Sequence, residues 1–384
     1  MKLAFIEHPL DHSKLSNPMG VSTFIIQSLR NCGAIVIPIR AEPLPFWVNF
    51  YKIKEKVLHL FGIRYKYGRD PKVLSMISES IEDRVNNLDV DGVISFGTLS
   101  MAYLDTKKPK FIWTDAVFDN LLDYYSEYKN LPKKTIHNAR HTEGKALLEA
   151  KGVFFCLNLP MNYAINRYKI YPGKIHFATF GANHFKEHSA NEIESIISNK
   201  PAEEIRLLFV GYKWEGKGAD KTVAIAKEIH NRNIPVRLDI IGFEQRKDIS
   251  ESYIHFHGKL NKLNKEDNQK FSGFMEQATF LMLLSKFEFF GHVVSEANSY
   301  GLPAITSNTG GLDEVVVNGK NGMKFENTDE IEGIADSIIA TFADREKYDD
   351  LCRSSYRESQ DRLNWDIGGR VVYDAIEKIV NPDL

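Results

Sequence analysis

Two glutamates lie where an apolar run gives way to a helical pattern: Glu288 in the turn that joins them, and Glu296 about one turn into the helix. The run 279–285 reads T-F-L-M-L-L-S, which has the length and composition of a buried parallel strand. The pattern over 292–300 predicts a helix, and the Gly and Pro of 301–303 would end it. Ligands of open α/β sheets bind where strands end, with phosphates at helix N-termini. Two carboxylates in such a place would accept hydrogen bonds from the hydroxyls of a sugar or a ribose.

The residues around this pair form a longer motif. Residues 288–296 read E-F-F-G-H-V-V-S-E, 297–303 read A-N-S-Y-G-L-P, and 310–311 are a glycine pair. This motif resembles the donor-site signature of the retaining GT-B glycosyltransferases of the family-4 kind, the glycosyl transferases group 1. The resemblance implies transfer of a sugar, a hexose by expectation, from a nucleotide-diphosphate sugar to a hydroxyl acceptor. The acceptor would be a glycan or a lipid-linked molecule, as in glycan, polysaccharide or glycolipid synthesis.

The resemblance also implies roles for individual residues. Glu296 would bind the ribose hydroxyls, and Glu288 would take a catalytic role by binding and orienting the donor sugar. The diphosphate would be held by backbone N–H groups at the helix N-terminus, those of Phe289, Phe290, Gly291 and His292. The family works without a metal ion, and we expect neither a metal site nor a cofactor beyond the nucleotide sugar itself. Consistent with this, the twelve histidines show no metal-ligand spacing.

A second donor-binding segment is expected at 207–218, L-L-F-V-G-Y-K-W-E-G-K-G, a strand, a turn and the start of a helix. In the family an Arg just after the first Gly, here Gly211, and a Lys five residues beyond it hold the diphosphate. Lys217 falls on the Lys position, where its ammonium would act as a point charge on phosphate oxygens. The Arg position is Tyr212, a departure from the family. Lys213 would supply the missing charge, or would simply be a solvated lysine of the turn.

Two residues of the N-terminal half are further candidates. Gly20, entering the first helix, resembles the family's glycine that lets backbone N–H groups approach the donor pyrophosphate, although an ordinary tight turn would use a glycine equally well. Asp115 follows the strand 111–114, at a strand end where the family often carries His or His-Asp, and Thr114 occupies the usual His place. Asp115 would have a catalytic role, accepting hydrogen bonds from the sugar or stabilising positive charge at the anomeric carbon, or it would cap the helix that follows.

Short apolar runs alternate with helical patterns along both halves of the chain, which predicts βαβ units and parallel sheets. The fold class is therefore α/β, with two Rossmann-like doubly wound domains that the resemblance arranges as a GT-B pair facing each other across a cleft. We expect residues 1–195 to form the acceptor domain and 196–365 the donor domain. A last helix, about 366–384, would pack back onto the N-terminal domain, as is common in the family.

Composition excludes several other classes of protein. The apolar runs among the 384 residues are strand-sized, too short for a membrane span. Three scattered cysteines argue against disulfides or a zinc site and favour the cytoplasm. Residues 1–195 carry 25 Lys and Arg against 20 Asp and Glu, and residues 196–384 carry 24 against 31. No nucleic-acid partner is expected, because the basicity is not uniform.

The stretch 45–69 is the most informative one outside the donor site. Phe46, Phe50, Ile53, Val57 and Phe61 share one helical face, with Lys52, Lys54 and Lys56 beside it. Such a basic aromatic helix would lie in an anionic membrane interface, or it would pack on the protein's own core. In the first case the protein would be cytoplasmic and peripheral, on the inner face of the membrane.

Two other functions fit the same motifs. One is a GT-B nucleotide-sugar epimerase, which would act on a free nucleotide sugar with no acceptor. The other is a catalytically silent GT-B subunit that binds a partner or a glycan. The basic aromatic helix argues against the epimerase, and the intact Glu288, Glu296 and Lys217 argue against the silent subunit.

Overall fold

The structure is a computed structural model that describes residues 1–7, 19–41, 44–125, 128–184 and 187–382. The chain divides into two compact units. The first unit is Met1–Thr179 together with Trp365–Leu384, and the second is Phe180–Asn364. The boundary thus lies at Phe180 rather than after residue 195, because the helix that follows, with Ile193 and Ile197, is buried in the core of the second unit.

The first unit contains a six-stranded sheet in which every pairing is parallel. Its strands are β1 (Lys2–Glu7), β2 (Ile35–Arg40), β3 (Gly92–Phe96), β4 (Lys110–Thr114), β5 (Gly152–Phe155) and β6 (Ile175–Phe177). They are ordered β2-β1-β3-β4-β5-β6. All residues of the central strand β4 are buried, as expected for a parallel sheet covered by helices on both faces.

Six helices of the first unit connect these strands. They are α1 (Val21–Asn31), α2 (Val48–Leu60), α3 (Pro71–Asn86), α4 (Phe118–Tyr124), α5 (Lys133–Glu149) and α6 (Asn158–Tyr168). Most bury an apolar stripe on the sheet, as α1 does with Phe24, Ile25 and Leu29. Short 3₁₀ turns occupy Tyr67–Arg69 and Pro172–Lys174.

Helix α2 is the exception, because its apolar stripe is exposed. Phe46, Phe50, Ile53 and Phe61 are 76%, 64%, 61% and 76% exposed, and Val48 is the one buried residue of the helix. The alternative that this stripe packs on the protein's own core is therefore wrong. The opposite side of the helix is the one that packs against the rest of the first unit.

The second unit contains another six-stranded parallel sheet. Its strands are β7 (Ile205–Val210), β8 (Val236–Ile241), β9 (Ile254–Phe256), β10 (Phe280–Leu283), β11 (Ala304–Ser307) and β12 (Gly322–Phe325), in the order β12-β11-β10-β7-β8-β9. Its helices are α7 (Ala190–Ser198), α8 (Ala219–Asn231), α9 (Lys265–Gln277), α10 (His292–Asn298), α11 (Leu312–Val315), α12 (Ile331–Ala343) and α13 (Arg345–Asp361). The predicted α/β class with two doubly wound sheets is confirmed.

The last helix, α14 (Trp365–Val380), belongs to the first unit. Trp365 stacks on Phe24 of α1 with ring centroids 5.9 Å apart and meets Trp113 of β4 edge-on at 5.7 Å. Asn31 donates a hydrogen bond to Asp366 at 2.9 Å. The helix therefore covers part of the first sheet although about 185 residues of the second unit precede it; the final two residues of the predicted helix, 383–384, lie outside the described residues.

Among the residues that the structure describes, no helix has both the length and the apolar character needed to cross a membrane. All three cysteines are free thiols.

We expect Gly218→Ala to destabilise the second unit more than Gly319→Ala does. Both glycines have φ of +74°, so both alanines carry similar backbone strain, about 1–2 kcal/mol. A Cβ on Gly218 would lie 2.2 Å from the Leu284 carbonyl oxygen, whereas a Cβ on Gly319 would meet nothing within 4 Å. Overpacking should therefore cost Gly218→Ala a further 1–3 kcal/mol, approximately. The free energies of unfolding in urea measure this difference, and equal losses in the two variants would contradict it.

Candidate active site

The strand order of the second sheet reverses between β7 and β10, which lie side by side. Ligands of doubly wound sheets bind at such a reversal, outside the carboxyl ends of the strands. The loops that follow these two strands, 211–218 and 284–291, are joined by a hydrogen bond from the Lys286 N–H to the Gly216 carbonyl at 3.0 Å. The predicted donor-binding residues of the second unit lie on these loops or just beyond them.

Lys217 and Glu288, predicted from separate motifs, are brought together as an ion pair. Glu288 is only 8% exposed, and Ser285 also donates a hydrogen bond to its Oε1 at 3.1 Å. A buried carboxylate needs such partners, since an unpaired charge is costly in a dry environment. Ser285 carried no signal in the sequence and was missed.

The backbone at Glu288 is held by the glycine pair predicted as part of the motif. The Gly311 N–H donates to the Glu288 carbonyl at 2.9 Å. Gly310 has φ of +56°, and a Cβ there would lie 2.2 Å from the same carbonyl oxygen. Ser307, at the end of β11, donates to the Ser285 carbonyl at 2.6 Å. The segment after β11 thus fixes the position of the loop that carries Glu288.

Glu296 lies in α10, about one turn from its start, and is 5% exposed. Its Oε2 accepts a hydrogen bond from Lys262 at 2.6 Å, and the Lys262 ammonium also lies 4.4 Å from the centre of the Phe271 ring. Lys262 was missed by sequence reasoning, because the loop between β9 and α9 carries two lysines, Lys259 and Lys262, and only the fold selects one of them.

The side chains of Phe289 and Phe290 are buried and hold the backbone of this loop in place. Phe290 is 2% exposed and packs edge-on against Phe180 at 5.5 Å, and Phe289 packs against Phe287 at 5.0 Å. With both rings buried, their backbone groups are what a ligand would meet. Gly291, with φ of +69°, is the N-cap residue of α10.

The His292 ring is packed against aromatic side chains. It stacks on Phe180 with ring centroids 5.6 Å apart, and its Nδ1–H donates to the Gly181 carbonyl at 3.2 Å. Burial lowers the pKa of His292 to about 4, against a smaller opposing effect of the hydrogen bond to Gly181. The imidazole is therefore neutral at pH 7, and at this position only the backbone N–H remains to bind a diphosphate.

Gly211 and Lys213 contribute backbone to the turn before α8. The Gly211 N–H donates to the Ile241 carbonyl at 3.0 Å, and the Lys217 N–H donates to the Lys213 carbonyl at 2.9 Å. A Cβ on Gly242 would lie 1.8 Å from the Gly211 carbonyl oxygen, so this approach requires glycine. Tyr212, in the place of the family's Arg, is 63% exposed.

Gly20 and Asp115 lie in the first unit. Gly20 is the N-cap residue of α1 with an ordinary extended backbone, φ −84°, so its conformation does not itself require glycine. Asp115 follows β4 directly, but the N-cap residue of α4 is Val117, whose N–H donates to Asn120 at 3.1 Å. The alternative that Asp115 caps this helix is wrong.

Residues 191–358 match the family model described as Glycosyl transferases group 1. The second unit is a group 1 glycosyltransferase domain. The resemblance of the motif at 288–311 to the glycosyl transferases group 1 is thereby confirmed. Within the described ranges, this domain and the first unit contain no group of three or more His, Cys, Asp or Glu residues placed to hold a metal ion.

The domain is 27% identical to the glycogen synthase of Mycobacterium tuberculosis over 168 residues, 43% of this chain and 40% of that protein. Matches to the curated relatives thus span about two fifths of their length. Sucrose-phosphate synthase from Thermosynechococcus elongatus superimposes over 100% of both chains with a TM-score of 0.71 at 15% identity. Anabaena HepE in complex with UDP-glucose also superimposes over 100% of both chains, with a TM-score of 0.60 at 12% identity. These likenesses confirm the GT-B fold.

His292 should make stability depend on pH. The unfolded chain binds a proton on this imidazole near pH 6.5, and the folded protein only near pH 4. Stability is therefore lost as the pH falls through this window, by about 3 kcal/mol at most. Urea unfolding between pH 7 and pH 4 should show a shallower loss in His292→Gln than in the wild type. A wild-type slope in His292→Gln would contradict the assignment.

Proposed function

We propose that the protein is a retaining glycosyltransferase that moves a sugar from a nucleotide-diphosphate sugar to a hydroxyl acceptor. The observation that carries this proposal is the meeting of Lys217 and Glu288 where β7 and β10 end, with Glu296 one turn into α10. The site thus has two buried carboxylates, each paired with a lysine, at the ligand-binding edge of a doubly wound sheet. The binding of UDP-glucose by HepE, which shares the fold, supports a nucleotide sugar as the donor here.

In this proposal Lys217 binds the diphosphate. Its ammonium already faces the Glu288 carboxylate, so a phosphate group would compete with Glu288 for the same cation. Backbone N–H groups of residues 289–292 would add donors at the start of α10. As the sugar–phosphate bond breaks, negative charge grows on the diphosphate, and a cation fixed beside it stabilises the transition state.

The two glutamates would bind different hydroxyl groups of the donor. Glu296, with Lys262 on its Oε2, would bind the ribose diol. Glu288 would bind and orient the sugar once phosphate has engaged Lys217. The retaining reaction would proceed on one face of the sugar, with the leaving phosphate helping to remove the acceptor's proton. The protein would then contribute mainly positioning and charge stabilisation.

Asp115 remains a candidate for a catalytic role in the first unit. It follows β4 at the carboxyl edge of that sheet, and it is not the N-cap residue of α4. Its carboxylate would accept a hydrogen bond from the sugar or stabilise positive charge at the anomeric carbon.

We also propose that α2 attaches the protein to an anionic membrane surface, on the cytoplasmic side. The exposed side chains of this helix and its flanks include large apolar ones, namely Phe46, Trp47, Phe50, Ile53, Leu60 and Phe61. Lys52, Lys54 and Lys56 lie on the same helix. An apolar face flanked by lysines complements a layer of anionic lipid headgroups. A lipid-linked acceptor would be reached from this surface.

Glu288→Gln should lose sugar transfer while keeping nucleotide binding. Transfer should fall about a hundredfold or more, the effect of losing one group that acts in the transition state. Binding of the free nucleoside diphosphate should be as tight as in the wild type or tighter, because Lys217 loses a competing carboxylate. Lys217→Gln should weaken the binding of both the nucleoside diphosphate and the nucleotide sugar. Transfer assays and thermal stabilisation by a panel of UDP-, GDP- and ADP-sugars measure these effects.

The matched control is the exposed Glu266→Gln, which should behave as the wild type. Wild-type transfer in Glu288→Gln would remove this residue from the mechanism, and no stabilisation by any nucleotide sugar would reject the proposed function. An epimerised nucleotide sugar formed from donor alone would favour an epimerase. Because Lys217 supplies the positive charge, we expect a chelator to leave the transfer rate unchanged.

The double variant Phe50→Ser, Phe61→Ser should bind vesicles at least about tenfold more weakly than the wild type, since each buried phenylalanine contributes about 1.5–3 kcal/mol. Sedimentation with vesicles of phosphatidylcholine, with and without phosphatidylglycerol, measures this binding. The anionic lipid should strengthen binding, and added salt should weaken it. Phe177→Ser, 46% exposed on β6, is the control. Equal binding of the double variant and the wild type would reject the proposed membrane surface.

A further inference from the structure

The first unit has a basic cavity that none of the motifs above predicted. It lies between α5 and α6 and has a volume of about 620 Å³. Five of the side chains that line it are basic, namely Lys133, His137, Arg140, His141 and Arg167. Among the residues that the structure describes, no carboxylate lines it, so the described part of the lining is electropositive.

The spacing of these residues places them together. Lys133, His137 and His141 follow one another at intervals of four along α5, and Arg140 lies between the last two on the same side. Residues four apart in a helix are neighbours on one face. This face of α5 therefore brings the Lys133 ammonium and the Arg140 guanidinium together with two imidazoles, all of which can donate hydrogen bonds.

Asp119, which is 4% exposed, holds the two arginines in place. Its Oδ1 accepts hydrogen bonds from the Nε and Nη2 of Arg140 at 2.9 and 2.6 Å, and the Nε of Arg167 lies 3.4 Å away. Tyr168 donates to the Oδ2 at 2.7 Å. One carboxylate thus orients two guanidinium groups, and Arg140 uses only two of its five N–H groups on it.

Among the described residues that line the cavity or contact its arginines, the positive charges are not balanced by negative ones. Lys133, Arg140 and Arg167 bring three positive charges against the single negative charge of Asp119. Within the described part of the chain, the side chains of Lys133, His137 and His141 make no ion pair or hydrogen bond. Positively charged side chains with unused N–H donors around a depression are suited to bind a phosphate group. Such a group offers several acceptor oxygens and about two negative charges.

The position of the cavity connects it with the proposed reaction. Asp119 is the second residue of α4, the helix that begins just after β4, and Asp115 lies four residues earlier, in the segment between β4 and that helix. The carboxyl ends of the strands are the edge at which doubly wound sheets bind ligands. A group held by Arg140 would therefore lie near that edge of the first sheet.

We propose that this cavity binds a phosphate group carried by the acceptor, so that the acceptor is a phosphorylated molecule. The identification of the ligand as the acceptor rests on the proposed glycosyltransferase function, whereas the binding of phosphate does not. The phosphate belongs either to a soluble sugar phosphate or to a lipid headgroup. Arg140 and Arg167, held by Asp119, would bind its oxygens directly, and Lys133 would add charge at the rim.

The test compares two neighbouring lysines of α5. Lys133→Glu places a carboxylate in the cavity, whereas Lys134→Glu makes the same charge change at an exposed neighbour that does not line it. Inorganic phosphate is titrated into each protein and followed by ³¹P nuclear magnetic resonance. Lys133→Glu should raise the dissociation constant about tenfold, the effect of losing one charge-assisted contact. Lys134→Glu should change it less than about twofold, as expected for an exposed and screened charge.

Arg167→Gln is a second variant, with the adjacent exposed Lys169→Gln as its control. Arg167→Gln should weaken phosphate binding as Lys133→Glu does, and Lys169→Gln should not. If wild-type protein binds no phosphate, or if the cavity variants and their controls bind it equally, the proposal is overturned.

Two further arms identify the source of the phosphate group. Glucose 6-phosphate represents a soluble phosphorylated acceptor, and phosphatidylcholine vesicles with and without phosphatidic acid represent a lipid headgroup. In each arm, loss of binding in Lys133→Glu but not in Lys134→Glu supports the proposal and names the source. Dependence on Lys133 in neither arm would overturn the assignment to an acceptor.

The same variants separate this proposal from the function on which it partly rests. Lys217→Gln should retain the Lys133-dependent binding of phosphate and lose nucleotide-sugar binding. Lys133→Glu should retain the stabilisation by nucleotide sugar. Phosphate binding that is lost in Lys217→Gln and kept in Lys133→Glu would place the ion in the second unit and overturn the proposed site.

Discussion

The candidate site depends on one contact, in which the segment after β11 meets the backbone carbonyl group of Glu288 in the loop after β10. The Glu288 carbonyl accepts the Gly311 N–H, and Gly310 leaves room for it where any Cβ would collide. This contact determines where the chain turns from β10 into α10. It therefore fixes the direction of the Glu288 side chain toward Lys217 and the start of the helix that carries Glu296.

The surroundings of the site make this arrangement rigid. Asn298, near the end of α10, and Asn321, before β12, are fully buried and bonded to each other at 2.9 Å. Each also bonds to backbone carbonyls, as Asn298 does to Leu302 at 3.1 Å. Buried amides with all their partners in place specify one geometry, because a shift would leave polar groups unpaired. The carboxylates thus project from a framework with little freedom to move.

The sequence was most informative where local rules and chemistry coincide. Glu288, Glu296 and Lys217 were predicted from strand, turn and helix patterns together with a family motif, and the structure places all three at the reversal of the strand order. The bounds of the strands followed from buried apolar runs, because a parallel sheet leaves few polar positions in its centre.

Long-range contacts explain what the sequence could not predict. Lys262 is one of two lysines in its loop, and only the fold brings it within 2.6 Å of Glu296. The basic cavity requires Asp119, Arg140 and Arg167, which are far apart in the chain and fit no motif. Whether the aromatic stripe of α2 was buried also depended on the position of the rest of the first unit, which periodicity does not reveal.

The first unit is discontinuous in the chain, because α14 completes it after the whole second unit has been made. At a synthesis rate of 5–20 residues per second, the ribosome needs about 10–40 s to produce the intervening segment. During that time Phe24 and Trp113 lack the Trp365 ring that later packs against them. The packing of the first unit can therefore be completed only after translation reaches α14, whereas the second unit is formed from one continuous segment of the chain.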